Sequence, residues 1–554
     1  MRQPILFLVD DRPRVLEALA RDLERRFGAD HRIRTAQRPT AALEALEALA
    51  SDGEEVALIV AGQHMAELPG VTLLLGAHEL HPSAKRVLLV GRRAWTPDNP
   101  AVRAMTLGQI DTYLFEPWLP VERFLYLPIS QVLADWVPSR GPSFEGIRIV
   151  GPRWGTRSHE LRDMLTRMGI PHGWYQADTA EGRKLLEDAG QDGEQLPVVL
   201  FHSGQVFVDP SNAELAEALG FGTRPAAASY DLVIVGAGPA GLAAAVYAAS
   251  EGLETLVVEP QVAGGQAGTS AMIRNYLGFP RGIGGGDLAN RALEQAWLFG
   301  VNLVLAQRAT GLRTDGDRRL VRLSDGGEVA AEAVVVASGV AWRRLGVPEL
   351  EALVGAGVFY GAAGAEARAM AAQDVFVVGA GNSAGQAALH LATYAASVTL
   401  LVRGPDLAKS MSEYLIQEIE QAPNVAVRLR TYVVGGLGGH RLEGLVLRQR
   451  DTGTMEEVPA AALFVMIGGE PRTEWLAGVE RDDRGYVVTG HDLLGPGGMP
   501  DGWPLARPPL LLETSIPGVF AAGDVRHRSV KRVASAVGEG AVAVQLVHQY
   551  LGRT

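Results

Sequence analysis

The sequence predicts an α/β fold throughout, with parallel, doubly wound sheets spread over several domains. Three observations predict it. At 554 residues the chain is too long for a single hydrophobic core. Short apolar runs alternate with stretches of helical spacing, the pattern that yields strands joined by crossover helices. The 66 glycines fall largely in short loops between those runs, where a backbone must turn tightly or approach a ligand closely.

Composition excludes several classes. Apolar residues make up 47% and charged residues 21%, ordinary for a globular protein. The formal net charge is -12 and no long Lys/Arg block occurs, so nucleic acid is not the expected partner. No apolar run approaches the ~18 residues that span a bilayer. Met1-Arg2-Gln3-Pro4 leads straight into a strand-like run without the regions of a signal peptide, so a cytoplasmic protein is expected. There are no cysteines, which excludes disulfides, thiolate metal sites and a redox dithiol.

From the start, Ile5–Val9 reads as a buried strand ending at Asp10-Asp11. Val15–Phe27 has helical spacing, Val56–Val60 and Val87–Val90 read as strands, and Tyr113 to Pro117 closes the series. Residues 1–130 thus form one doubly wound unit. Pro138, Gly141 and Pro142 mark a linker over 131–145. Residues 146–222 form a small α/β unit with a strand at Ile147–Val150, a helix at Ser158–Met168 and a strand at Pro197–Phe201. GTRPAAAS, from Gly222, is a second linker.

Next comes the strand Asp231–Val235, then Gly236-Ala237-Gly238-Pro239-Ala240-Gly241, the helix Leu242–Ala249, and the strand Thr255–Val258 ending at Glu259. In such a unit the first glycine permits the turn, the second admits a pyrophosphate and the third lets helix and strand pack. The helix N-terminus attracts phosphate, and an acid about 20 residues on accepts hydrogen bonds from a ribose diol. A glycine loop alone is weak evidence; the whole strand–loop–helix–strand–acid series is specific.

A second such unit runs from Asp374–Val378 through Gly379-Ala380-Gly381-Asn382-Ser383-Ala384 and a helix to Ala395. Its next strand, Val398–Val402, ends at Arg403. Arginine there can pair with a 2′-phosphate that an acid would repel, which favours NADPH over NADH. The alternative is a solvated charge at a strand end.

Together these residues resemble the thioredoxin reductase family from about Tyr230 to the C-terminus, with Rossmann-like domains at 229–346 plus 476–554 for FAD and at 347–475 for NAD(P)H. Further motifs carry the resemblance: Gly264-Gly265-Gln266-Ala267-Gly268-Thr269, Asn275-Tyr276-Leu277-Gly278-Phe279-Pro280, Val336-Ala337-Ser338-Gly339 and Gly518-Val519-Phe520-Ala521-Ala522-Gly523-Asp524-Val525. The resemblance implies that Gly265, Gln266, Asn275, Gly523 and Asp524 contact FAD, Asp524 at the ribityl chain. It also implies that Arg532, Val533 and Ala534, in a helix opening at Lys531, face the flavin. A homodimer and rotation of the nucleotide domain between two states are further implications.

The resemblance breaks where the family carries Cys-x-x-Cys. Aligned on Val358-Phe359-Tyr360, those positions are Gly361 and Gly364. Glycine supplies no thiolate for disulfide exchange, so no catalytic side chain is assigned. The family's His-Arg-Arg for the NADPH phosphate is reduced to Val402, Arg403, Gly404. A related branch, the thioredoxin-reductase-like ferredoxin–NADP reductases, also lacks the dithiol.

Residues 1–130 resemble a response-regulator receiver domain. Asp10 and Asp11 match its acidic metal-binding pair, but the phosphoacceptor position is Gly62, the switch hydroxyl position Val90 and the lysine position Glu116. A pseudoreceiver is expected, with Asp10 and Asp11 as a solvated loop pair rather than a Mg²⁺ site. Residues 146–222 resemble a thioredoxin fold. Its Trp-Cys-x-x-Cys has become Trp154-Gly155-Thr156-Arg157-Ser158, and Leu196-Pro197-Val198 matches its cis-proline segment. Ser158 is read as a helix N-cap and His159 as a surface histidine.

The function expected is transfer of electrons from NADPH through FAD to an external acceptor, which is a redox protein, a quinone or oxygen. The alternative is a slow redox or nucleotide sensor assembled from degenerate modules.

Overall fold

A computed structural model describes residues 3–91, 104, 109–119, 121, 125–126, 128–130, 132–133, 136, 145–170, 172–270, 272–279, 282–361, 366–495 and 498–553. The expected linker residues Pro138, Gly141 and Pro142, together with Pro280 and Gly364, lie outside them. The chain divides into two compact units, Met1–Phe144 and Glu145–Thr554.

In the first unit the order is β1 (Ile5–Val9), α1 (Pro13–Phe27), β2 (Arg32–Ala36), α2 (Pro39–Ser51), β3 (Val56–Gly62), α3 (Gly70–Leu80), β4 (Lys85–Gly91) and β5 (Thr112–Glu116). The strands form one parallel sheet in the order β2-β1-β3-β4-β5. β1 and β3 are buried along their whole length, which is why they read as unbroken apolar runs. Helices cover both faces, with a core around Ile59 and Leu88 on one side and around Leu19 and Leu58 on the other.

The second unit opens with β6 (Ile147–Gly151), α4 (Thr156–Arg167), β7 (His172–Gln176), α5 (Ala180–Asp188), β8 (Val198–Phe201), β9 (Val206–Val208) and α6 (Asn212–Ala218). Its sheet order is β7-β6-β8-β9, with β6–β7 parallel and the other pairs antiparallel. The Leu196–Pro197 peptide is cis.

A larger sheet follows. It contains β10 (Ser229–Val235), then, after α7 (Pro239–Ser250), β11 (Thr255–Val258) and, after α8 (Gly285–Leu298), β12 (Asn302–Val304), β13 (Ala309–Asp315), β14 (Arg318–Leu323) and β15 (Glu328–Val336). Strand β16 (Val340–Trp342) leads out of it into α9 (Pro348–Glu351) and an inserted domain. That domain holds β17 (Val358–Tyr360), β18 (Asp374–Val378), α10 (Asn382–Ala392), β19 (Ser397–Val402), α11 (Glu413–Gln421), β20 (Val425–Leu429), the meander β21 (Thr431–Leu437), β22 (Gly444–Gln449) and β23 (Met455–Pro459), and β24 (Ala462–Val465). Its parallel sheet runs β17-β24-β18-β19-β20. The chain returns through β25 (Gly469–Pro471), antiparallel to β16. It re-enters the first sheet at β26 (Val519–Ala521), parallel to β15, and ends in α12 (Val533–Leu551). The first sheet therefore belongs to a split domain, interrupted by the inserted one.

Candidate functional site

The first glycine loop is explained by sterics. Gly236 has φ +107°, and a Cβ there would lie 2.4 Å from the Ala337 carbonyl oxygen. A Cβ on Gly241 would lie 1.8 Å from the Gly236 carbonyl oxygen. Both glycines are therefore demanded by the fold. Gly238 differs: an added Cβ would meet nothing nearer than Gly265 Cα, at 3.9 Å. No neighbour among the described residues requires glycine at that position. The open space at the start of α7, ahead of free helix N–H groups, fits a diphosphate bound from outside. Pro239 does not weaken this cradle, because it sits at the start of the helix, where no intrahelical hydrogen bond is lost. Ala240 is buried in the core.

Glu259 closes β11, 6% exposed. Its carboxylate accepts from Ala237 N at 2.8 Å and Gln261 N at 3.0 Å, one bond per oxygen. Burial pushes its pKa up, against the pull of those two amides. Each oxygen keeps a further lone pair for a ribose hydroxyl.

The C-terminal motif is brought to the same loop. A Cβ on Gly523 (φ +78°) would lie 2.9 Å from Ala240 Cβ, and one on Gly540 would lie 2.2 Å from the Ala240 carbonyl oxygen. Asp524 makes no side-chain hydrogen bond among the described residues, and burial raises its pKa although Lys531 opposes the shift. A half-buried carboxylate without a protein donor fits a hydroxyl-bearing ligand. Glu539, which sequence reasoning missed, holds the turn: it accepts from Gly523 N at 2.7 Å and pairs with Arg526. Helix α12 begins at Val533, two residues later than expected, with the exposed Arg532 as its N-cap. Ala534 is exposed in the first turn. Gly265 (φ +53°) packs toward Gly238, and Gln266 Nε2 donates to the Val340 carbonyl at 2.9 Å. Asn275 is exposed and no hydrogen bond among the described residues ties it to the glycine loop.

The second loop repeats the logic. A Cβ on Gly379 would lie 2.5 Å from the Met466 carbonyl oxygen, whereas one on Gly381 would meet nothing nearer than 3.9 Å. Ala384 is fully buried. Asn382 is pinned from the side, its Oδ1 accepting from Ser412 N at 2.8 Å and its Nδ2 donating to Ser412 Oγ at 2.9 Å. Ser383 lies in the first turn of α10. Arg403 is exposed just beyond β19, with no hydrogen bond or ion pair among the described residues.

At the expected dithiol position Gly361 has φ +103°, and a Cβ would lie 2.7 Å from Trp342 Nε1. A side chain there would have to displace the Trp342 indole and would strain the backbone.

Three expectations are corrected. Ser158 is not an N-cap: α4 starts at Thr156 after Gly155, and Ser158 is fully buried with an unpartnered Oγ. His159 is only partly exposed and is engaged: its Nδ1 lies 2.6 Å from Glu366 Oε1 and its ring lies 5.1 Å from Phe359. Asp10 is not solvated: it is 1% exposed, and Arg12 Nε and Nη2 each reach one of its oxygens at 2.8 Å. Arg12 Nη1 also lies 2.8 Å from Glu116, while Asp11 accepts from Ala66 N at 2.7 Å. No helix among the described residues is long and apolar enough to cross a membrane.

A family model for pyridine nucleotide-disulphide oxidoreductases matches residues 230–540. A thioredoxin reductase of Peptoclostridium acidaminophilum is 32% identical over 331 residues, covering 58% of this chain and 97% of that one. A thioredoxin reductase of Streptomyces clavuligerus is 34% identical over 325 residues, covering 58% of this chain and 94% of that one. The crystal structure of Lactococcus lactis thioredoxin reductase, in the FR conformation, superposes with a TM-score of 0.51 at 29% identity, covering 59% of this chain and all of that one. The chain therefore belongs to the pyridine nucleotide-disulphide oxidoreductase family, as an FAD-dependent enzyme without active-site cysteines.

Proposed function

We propose that the protein takes electrons from NADPH and passes them through FAD to an external acceptor, without a redox dithiol. The observation that carries this reading is the contrast between two open cradles, at Gly238 and Gly381, and the sterically closed Gly361. FAD, held by the Gly236–Gly241 loop, Glu259 and Asp524, supplies acceptance of two electrons from a nicotinamide and their release. The chain's own part is positioning. The α7 N-terminus receives the diphosphate, Glu259 the ribose, and Asp524 a hydroxyl of the linking chain. The α10 N-terminus receives the second dinucleotide and Arg403 its 2′-phosphate. The α12 N-terminus, free of acidic residues in its first turn, presents a positive helix end where negative charge is to be stabilised.

Mixing NADPH anaerobically with the purified yellow protein tests the reading. Rapid loss of the oxidised flavin spectrum is expected, and an unchanged spectrum overturns it.

One observation favours a sensing role for the N-terminal unit. Its strand order, with Asp10 after β1, Gly62 at the end of β3, Val90 near the end of β4 and Glu116 at the end of β5, supports a pseudoreceiver. The Arg12 guanidinium fills the acidic pocket. The order β7-β6-β8-β9 and the cis Leu196–Pro197 bond support a thioredoxin-like reading of the following sheet.

A further inference from the structure

Helix α4 touches both domains of the nucleotide-binding body. Leu161, Met164 and Leu165 on its inner face belong to one buried cluster with Ala245, Leu293, Leu303 and Leu305 of the split domain. At its C-terminal end, Arg167 Nη2 donates to the Gly265 carbonyl at 3.1 Å, beside the first glycine loop. The helix is therefore tied to the split domain through a shared core and the Arg167 hydrogen bond.

Its N-terminal end reaches the inserted domain. Thr156 Oγ1 donates to the Val354 carbonyl at 2.7 Å. His159 and Arg162, one turn apart, converge on Glu366 Oε1 at 2.6 and 2.8 Å. Glu366 is 4% exposed. Burial pushes its carboxyl up, but the His159 hydrogen bond and the Arg162 charge outweigh burial and hold it below the usual carboxylate range. A buried carboxylate with both donors on another element cannot be separated from them without leaving a charge unpaired.

The inserted domain has its own cores, and its chain connections run through the two-stranded pair β16–β25. Such a pair, three residues long on each strand, is a narrow support. Helix α4 spans from one side of it to the other.

We propose that α4 is an internal latch. Anchored in the split domain, it grips Glu366 through His159 and Arg162 and so sets the angle of the inserted domain about β16–β25. It also covers the face beside Phe359, so that an external protein cannot dock there while the latch is closed.

The cysteine-free chain makes the test clean. Asp317→Cys on the split domain and Glu457→Cys on the inserted domain, both exposed positions, are labelled with nitroxides in the FAD-loaded full chain. Pulsed electron resonance then reads the distance between the two domains without any nucleotide turnover. One distance band is expected for the parent, and a second band for Glu366→Gln. Should Glu366→Gln fail to fold, Arg162→Leu, at a position 11% exposed in its side chain, and Thr156→Val on the outer turn decide, each with a second band expected. Two bands already in the parent, or a single unchanged band in every folded variant, overturn the proposal. Because no electron transfer is measured, this result is independent of whether NADPH reduces the flavin.

Discussion

A Cβ at Gly361 would lie 2.7 Å from Trp342 Nε1, on a backbone with φ +103°. At the position expected to match the family's first cysteine, the indole would thus have to move to admit a side chain. Gly361→Cys is expected to cost roughly 1–3 kcal/mol of stability, from backbone strain and overpacking. Urea unfolding checks this. A neutral effect would show that the indole yields easily.

The two glycines of the first loop make separable demands. Gly236→Ala should destabilise the FAD-free protein, because its Cβ would strike the Ala337 carbonyl. Gly238→Ala should leave FAD-free stability within about 0.5 kcal/mol and weaken FAD binding instead. Equal losses of FAD-free stability for the two variants would contradict the assignment of Gly238 to the cofactor.

Gly236 and Gly241 were legible in the sequence because their contacts in the fold exclude a side chain, whereas Gly238 was legible from its place in the motif alone. The strands Asp374–Val378 and Thr255–Val258 were read to the residue, since both are apolar runs bounded by sharp turns. The Glu366 cluster was not legible. Its partners are ordinary residues about 200 positions away, and no local spacing joins them. Ser158 was misread because capping rules use local sequence, while α4 begins two residues earlier. Glu539 sits within a helix, and only the tertiary fold brings it to Gly523.

Arg403 is exposed and has no described partner. Arg403→Ala should weaken NADPH by about 1.5–3 kcal/mol, the usual worth of hydrogen bonds to a charged group, and NADH far less. Titration of both nucleotides against flavin fluorescence is the measurement. An equal loss for NADH would show that Arg403 does not read the 2′-phosphate.

Glu418 on α11 is buried 3.7 Å from Arg274 of the split domain, and one carboxylate oxygen has no hydrogen-bond partner. Burial raises its pKa to about 7, against the pull of Arg274. An acid whose folded pKa is raised binds a proton more tightly in the native state. Its favourable contribution is therefore present at low pH and is lost as pH rises between the ordinary carboxylate range and about 7. Glu418→Gln should flatten that decline, gaining about 1–2 kcal/mol at pH 8 relative to pH 5. Unfolding curves at the two pH values decide, and parallel losses in parent and variant would sink the idea.

Arg12→Ala removes both side-chain donors that Arg12 gives to the buried Asp10 carboxylate. Half-exposure of the arginine tempers the effect, so a loss of about 1–3 kcal/mol in the N-terminal unit is expected. Asp10→Asn in the Arg12→Ala background should recover part of it. Hydrogen exchange of the β1 and β3 amides reports on this unit, and no recovery would mean that the buried charge is not the cause.

A cation that arrives within the polypeptide obeys no binding isotherm. Its local concentration at Asp10 is set by one residue of intervening chain, so chelators do not remove it and dilution does not lower its occupancy. A dissolved cation would have to displace Arg12 from Asp10 to enter the pocket at the end of β1.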